Sequence, residues 1–523
     1  MWRGLNRCCP SAILLGCVAF LAIGCSRCKS GVTEAPQNVG PGPTTPEPGP
    51  QQPGPAAEGS NDHPAFAPRG SGQIGPRRLP TFVKLDYKGF PNPRGARFGS
   101  SKRQITVRPG TPGAISAALE KAGVGDTIIL EGGTYQEPLD KDEHRAVVIE
   151  KEGIVIRSKP GKRARIVPRS ATVNYGVLIA ASHVMLQGLD IEGFSSVAVG
   201  MEKEGDVLKD IVLSDINAKM PQDGKWHDGI VVYTDNRSIN KPASDGLLLM
   251  NVVVHGASLG VSCNAGPCRS WWLENVKVEK MSRSSGDADA IAVAEGDNIA
   301  IVNTEVSGAT ADGIDLKATR AVVWNCSVHN LARNGVKLWH GGDIVNTLIH
   351  HTGADAAIVF EHKGRYRILH SLVAYHNWPT PKSYNLTASH DAKEPLQVEL
   401  INSIFYKTSG GMFFQDGTSV TIKNCVFSDM RNGLVLRALV RGKEVEVTLP
   451  QARKAGLQRA GFGGGNRVAD PNFRAEAKGD FTLKRSSPAV NGGAMVKDYP
   501  ATDFRGRKRV QGGKPDIGPF ECF

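Results

Sequence analysis

Aromatic residues are scarce in this chain. Phe, Trp and Tyr make 6% of the 523 residues, against 60 Gly and 32 Pro. That balance suits tightly turned β structure joined to a linker rather than a core of large rings. The formal net charge is +12, yet there is no compact nucleic-acid motif and no run that interleaves basic and aromatic residues. The positive balance therefore fits solubility, or an anionic partner such as an acidic polysaccharide or a membrane surface. His329, His340, His350, His351 and His362 are scattered without a metal-ligating spacing. The Leu-x-x-Leu-x-Leu spacing of leucine-rich repeats is also missing.

One apolar run stands out, from Ala12 to Ile23 behind Arg3 and Arg7. It is too short to span a bilayer and reads as a signal peptide over 1–24. The segment LAIGC (21–25) resembles a bacterial lipobox, with Leu21 one place early. The resemblance implies cleavage before Cys25, lipidation of its thiol and a place in the bacterial cell envelope, as an outer-membrane lipoprotein; a secreted form is the alternative. The Pro- and Gly-rich stretch to residue 78 then reads as an extended tether over 25–78. Cys263 and Cys268, in CNAGPC, suit a small loop disulfide in an exported protein. Cys326 and Cys425 read as core thiols.

What the chain does have is a ladder. MNVVV (250–254), ENVKV (274–278), VNTEV (302–306), WNCSV (324–328), VNTLI (345–349), INSIF (401–405) and KNCVF (423–427) each carry an Asn in the same place. Asn303, Asn325 and Asn346 step by 22 and 21, and Asn402 to Asn424 by 22. A second column runs through DAIAV (289–293), DGIDL (312–316), NGVKL (334–338) and DAAIV (355–359). Two columns of one period mean stacked copies of one unit. The segments are β-branched, alternate in period two and are separated by Gly, Asn, Asp and Ser, so each unit holds short strands and turns. About 22 residues per coil suits one rung of a right-handed parallel β-helix, with rungs about 4.8 Å apart. The pattern over 112–123 predicts a capping helix at the N-terminal end, and 79–523 reads as one β-helix domain ending in a C-terminal extension.

Register follows from the regular rungs. With Ile291, Ile314, Val336 and Ile358 inward, Ala292, Asp315, Lys337 and Val359 form one outward column. Ala294, Lys317, Trp339 and Glu361 form a second. Asp289, Asp312, Asn334 and Asp355 form a third at the turn before each strand, which Asp228 extends, with Asp287 beside it. One face thus gathers several acids with Lys337 below Asp315. Acids at strand-starting turns are also ordinary turn formers, and Asp315 with Lys337 is also an ordinary cross-rung ion pair. Both readings stand at this point.

The segments ADGID (311–315) and GVKLWHGG (335–342) resemble polysaccharide lyase family 9, the pectate lyase-like β-helix enzymes. There, a D-D-G-x-D motif and an Asp on the preceding rung bind Ca²⁺, and a G-F-K-L-G-G segment supplies the lysine base. The resemblance implies Asp289, Asp312 and Asp315 as metal ligands, Ca²⁺ as cofactor and Lys337 as catalytic base. Ala311 stands where the motif has its first acid, and Trp339 and His340 interrupt the lysine segment. Trp339, Arg333 and Lys317 are expected to meet substrate, with Arg320, Arg365 and Arg367 near in rung order. The expected function is calcium-assisted β-elimination on uronate-containing polysaccharide by a monomer that meets the membrane only through its lipid anchor. The alternative is a non-catalytic polysaccharide-binding or adhesive surface protein. A polygalacturonase-type hydrolase is disfavoured, since no G-H-G segment occurs. A mannuronan epimerase shares fold and substrate charge and stays open.

Overall fold

The computed structural model describes residues 76–523 other than 81–82, 96, 139–143, 204, 234–242, 265, 282–287, 354–355, 378–382, 390–395, 441, 456–462 and 498. The signal segment, Cys25, the tether up to residue 75, Asp287 and Asp355 lie outside the described residues. Among those described, no helix is long and apolar enough to cross a membrane.

The strands pair in parallel with the strand one rung on, in three sheets that run the length of the stack, which is a right-handed parallel β-helix. The first sheet includes Trp271–Glu274, Ile299–Val302, Ala321–Trp324 and Gly342–Val345. An asparagine turn leads to the second sheet, which includes Glu305–Ser307, Ser327–Leu331 and Leu348–Thr352. The third holds Asp228–Val232, Leu259–Cys263, Ile291–Val293, Ile314–Leu316, Val336–Leu338 and Ala356–Phe360. Inward residues of all three sheets, among them Ile301, Val328, Ile314 and Val336, form one continuous core.

The asparagines explain their own repetition. Asn251, Asn275, Asn303, Asn325, Asn346, Asn402 and Asn424 all have φ between 47° and 56°, a left-handed conformation that Asn tolerates better than most side chains. Their amides then bond up the stack. Asn325 Nδ2 donates to Asn303 Oδ1 at 2.8 Å and Asn346 Nδ2 to Asn325 Oδ1 at 2.9 Å. Asn275 Nδ2 reaches Asn251 Oδ1 at 2.6 Å. His370 takes the same left-handed place between Asn346 and Asn402, and its Nε2 lies 3.0 Å from Asn402 Nδ2.

The ends and flanks are covered. The helix Ala114–Lys121 closes the first rungs with Ile115, Ala118 and Leu119 buried. Glu137 accepts its first amides, Ile115 N at 2.7 Å and Ser116 N at 3.2 Å, while Lys151 Nζ donates to the carbonyls of Leu119, Glu120 and Ala122 at the other end. Both helix termini thus have side-chain partners. The segment 76–99 is a strap over the outer face of the first sheet. Phe90 and Tyr87 pack on Trp272, Asp86 N donates to Asn298 Oδ1, and Gly99 N donates to Gly153 O. The C-terminal segment covers the second sheet with Phe473, Phe481, Phe504 and Phe520. Near the C-terminal end of the stack, the strand Leu434–Val440 pairs antiparallel with Lys443–Thr448 before the helix Leu449–Ala455.

Candidate active site

The third sheet pairs Ile291 with Ile314 and Val336, and Ala292 with Asp315 and Lys337. Period-two alternation of β-branched residues fixes this register, since a one-residue slip would turn the isoleucines out. One oxygen from each of Asp289, Asp312 and Asp315 lies within 4.8 Å of the others. Lys337 Nζ is 3.2 Å from Asp312 Oδ2 and 3.6 Å from Asp315 Oδ2.

Each acid is anchored through one oxygen. Asp289 Oδ1 accepts the Asp312 amide at 2.9 Å. Asp312 Oδ1 accepts the Asn334 amide at 3.1 Å and its side-chain Nδ2 at 2.8 Å. Asp315 Oδ1 accepts the indole N–H of Trp339 at 2.6 Å. The other oxygens of Asp312 and Asp315 face the Lys337 ammonium. Asn334 in turn accepts the Ala356 amide at 3.0 Å, so the acidic column hangs on a backbone-linked chain that continues below it.

The electrostatics follow from burial and crowding. Burial, then the neighbouring Asp312 carboxylate, pushes Asp289 up to about 7. Burial also raises Asp315, against the pull of Lys337, Lys317 and the Trp339 N–H. Burial alone would weaken the hold of Lys337 on its proton, but Asp315 and Asp312 outweigh it and the pKa of Lys337 is raised. As it stands, this lysine is a cation clamped between two acids.

The remaining residues fall in two groups. Lys317 Nζ sits 4.9 Å from the centre of the Trp339 ring and Lys337 Nζ 5.3 Å, so Trp339 orients Asp315 and both lysines. Arg333 lies half-buried at the turn before Val336–Leu338, on the rung of Lys337. Arg320, Arg365 and Arg367 belong elsewhere. They pair with Asp297, Glu399 and Asp343 on the first sheet. Rung order gave their height but not their face. The third column is also corrected, because Val336 pairs with Ile358 and the place below Asn334 falls to Ala356 rather than Asp355. Asp228 does continue that column, with Leu259 between it and the height of Asp289. Asn334, which carries Asp312, was visible in the sequence only as a turn residue.

Three hard oxygen donors close together suit Ca²⁺. With one oxygen of each acid already accepting a protein N–H, the three remaining oxygens fall short of the six to eight Ca²⁺ takes, so substrate and water would complete the set. Cys263 and Cys268 are joined at the end of Leu259–Cys263 with an S–S length of 2.04 Å. Cys326 and Cys425 are buried free thiols.

No protein-family model and no curated protein matches this chain. Among solved structures, pectate lyase Pel9A is matched with 12% identity and a TM-score of 0.39, over 82% of this chain and 98% of that one. The A-module of the mannuronan C-5 epimerase AlgE6 from Azotobacter vinelandii is matched with 11% identity and a TM-score of 0.37, over 61% of this chain and 92% of that one.

Proposed function

We propose that this protein cleaves uronate-containing polysaccharide by β-elimination at the acidic cluster of the third sheet. The observation behind this reading is the split use of each acid: one oxygen of Asp312 and of Asp315 is spent on the fold, and the other faces Lys337. A cluster built only for stability would have no need to crowd three carboxylates around one ammonium, since like charges this close oppose folding.

Asp289, Asp312 and Asp315 would hold Ca²⁺. When bound, it would supply positive charge that offsets most of that of the three acids and would polarise a uronate carboxyl group. Lys317 pairs with a substrate carboxylate on the same face. With the pull of those acids reduced, Lys337 would lose its proton more readily, because its burial favours the neutral form. Its neutral Nζ removes the C5 proton of the uronate. The C5–H electron pair becomes the C4=C5 double bond, the C4–O bond breaks, and the departing alkoxide takes a proton from water. Trp339 holds Asp315 and the two lysines in place throughout.

The test is incubation with pectate, alginate and glycosaminoglycans, with and without calcium, followed by ultraviolet absorbance of the unsaturated product. Absence of that absorbance with all three classes removes the lyase reading. The second reading, a polysaccharide-binding surface protein, draws on the same clamp, because a lysine held protonated by two acids is a binding cation and a poor base. Binding without unsaturated product identifies it. We further propose export and anchoring through Cys25; the disulfide between Cys263 and Cys268 supports an oxidising compartment.

A further inference from the structure

We propose that the third sheet carries a second sugar site, centred on Trp226 about two rungs before the acidic cluster, and that this site takes a neutral pyranose unit. The proposal rests on the reading of this face as a polysaccharide site and specifies which polysaccharide.

Trp226 is 41% exposed, one of few large apolar side chains so placed among the described residues. Its ring is nevertheless held: the indole N–H donates to Asp228 Oδ1 at 2.9 Å. The other oxygen of Asp228 accepts the Tyr233 hydroxyl, and Tyr233 is hydrogen-bonded to Tyr175. Tyr175 lies against the sheet where Gly200 has no side chain; a Cβ there would meet its hydroxyl oxygen at 2.3 Å. Beside Trp226, the fully buried His227 is fixed by Ser195 O at 2.9 Å and Asp223 Oδ1 at 2.6 Å. The network fixes the ring by its edge and leaves ring surface to solvent, which is what stacking on the C–H face of a pyranose needs.

The two sites lie along one edge of the third sheet. Asp228 pairs with Leu259, and the next rung carries Asp289 at that height. The separation is about two strand spacings, about 10 Å. Between them the side chains are small: Ser262, itself buried, pairs with Ala292, which pairs with Asp315, and Ala294 is exposed.

Charge separates the two sites. The groups around Trp226 and its tyrosines are Asp223, Asp228 and Glu202 against Lys225, 3.9 Å from Asp223, and Arg145, which faces Tyr175. Three acids against two bases favour an uncharged ring over a uronate there. At the acidic cluster, Lys337 and Lys317 meet the charged unit. A neutral and an anionic position about 10 Å apart on one edge fit a heteropolysaccharide in which uronate and neutral sugars mix, not a homouronan.

The experiment is calorimetric titration of the full chain with two oligosaccharides of equal length, one of uronate only and one alternating uronate with neutral sugar. Trp226→Ala and Trp226→Phe are titrated beside the wild type, with melting temperature and near-ultraviolet circular dichroism to show an intact fold. Tighter wild-type binding of the alternating ligand is expected. Trp226→Ala should weaken that binding by about 3–10-fold, Trp226→Phe should restore most of it, and homouronate binding should not change. If the alternating ligand binds Trp226→Ala as it binds wild type, the second site is wrong while the acidic cluster keeps its role. If homouronate binds as tightly as the alternating ligand, the neutral assignment is wrong. If neither binds the wild type, the polysaccharide reading of the whole face falls.

Discussion

Asn303, Asn325 and Asn346 stand on one edge of the stack, and Asp289, Asp312 and Asp315 on another, in overlapping rungs. The amide column pairs mostly with itself. Each amide has a donor and an acceptor, so Asn325 gives to Asn303 and receives from Asn346, and the one charge is the Arg509 guanidinium that caps Asn346 at the end of the run. The carboxylate column lacks that closure. Its members have only acceptors when ionised, and they repel. The chain supplies what they lack from outside the column: the Asp312 amide, the Asn334 amide and side chain, the Trp339 N–H and the Lys337 ammonium. Neutral amides can pass one hydrogen bond along the stack and need closing only at its end; carboxylates need a donor or a cation at every rung.

The largest test of this contrast is Lys337→Ala. Activity on uronate polysaccharide should fall by about 10²–10⁴-fold, the contribution of a general base. Sequence reasoning alone would leave the fold unaffected, but the Lys337 side chain is only 16% exposed and neutralises two buried acids. In chelator the variant should therefore lose about 3–5 kcal/mol in denaturant unfolding, and added calcium should restore part of it. Unchanged stability in chelator would show that the acids do not depend on this cation.

Calcium itself gives the next effect. At a hundredfold excess over its dissociation constant it should stabilise the wild type by about 2.7 kcal/mol, read as a rise in melting temperature. Asp312→Ala should show no such rise. An equal rise in both proteins would assign the metal elsewhere.

The amide column can be given the carboxylates' difficulty with Asn325→Asp. The left-handed backbone is kept, since Asp tolerates it. Asn303 Oδ1 loses its donor, at a cost of about 1–3 kcal/mol in denaturant unfolding. Activity of the folded variant should match wild type, and lost activity would tie the two columns together. The smallest effect is a slope. The Asp289 carboxyl sits at about 7 in the fold and about 4 when unfolded. Between those values the folded chain binds this proton more tightly, so in chelator stability falls as pH rises from about 4 to about 7 and is level above it. Asp289→Asn should flatten that fall, and a slope that persists belongs to another group.

The fold was legible because its rungs are regular. Inward Ile291, Ile314 and Val336 set the register that places Asp315 on Lys337. Faces were harder to read. The angle at which each rung turns is a backbone property, not a count of residues, so rung order brought Arg320, Arg365 and Arg367 near the site in height but could not give their face, which is the first sheet. The partners of the acids were also hidden: nothing in NGVKLW shows that Trp339 reaches back to Asp315 or that Asn334 carries Asp312. The flanks left a trace in composition. Consecutive apolar residues such as Leu247, Leu248, Leu249 and Met250, all buried, cannot alternate between core and water, so something must lie over the sheet.

That covering has a consequence for how the molecule comes apart. Within the stack, partners are near in sequence; Asn325 and Asn303 are 22 residues apart. An array of such neighbours can fray rung by rung from either end. The strap and the tail connect distant points instead, Asp86 to Asn298 across 212 residues and Arg509, fully buried, to Asn346 across 163. Each clasp spans many rungs and opens only when the chain beneath it yields. Long-range closure of this kind slows folding, because the ends must be brought together before the contacts reward it, and it makes the solenoid unfold as a unit rather than as a string.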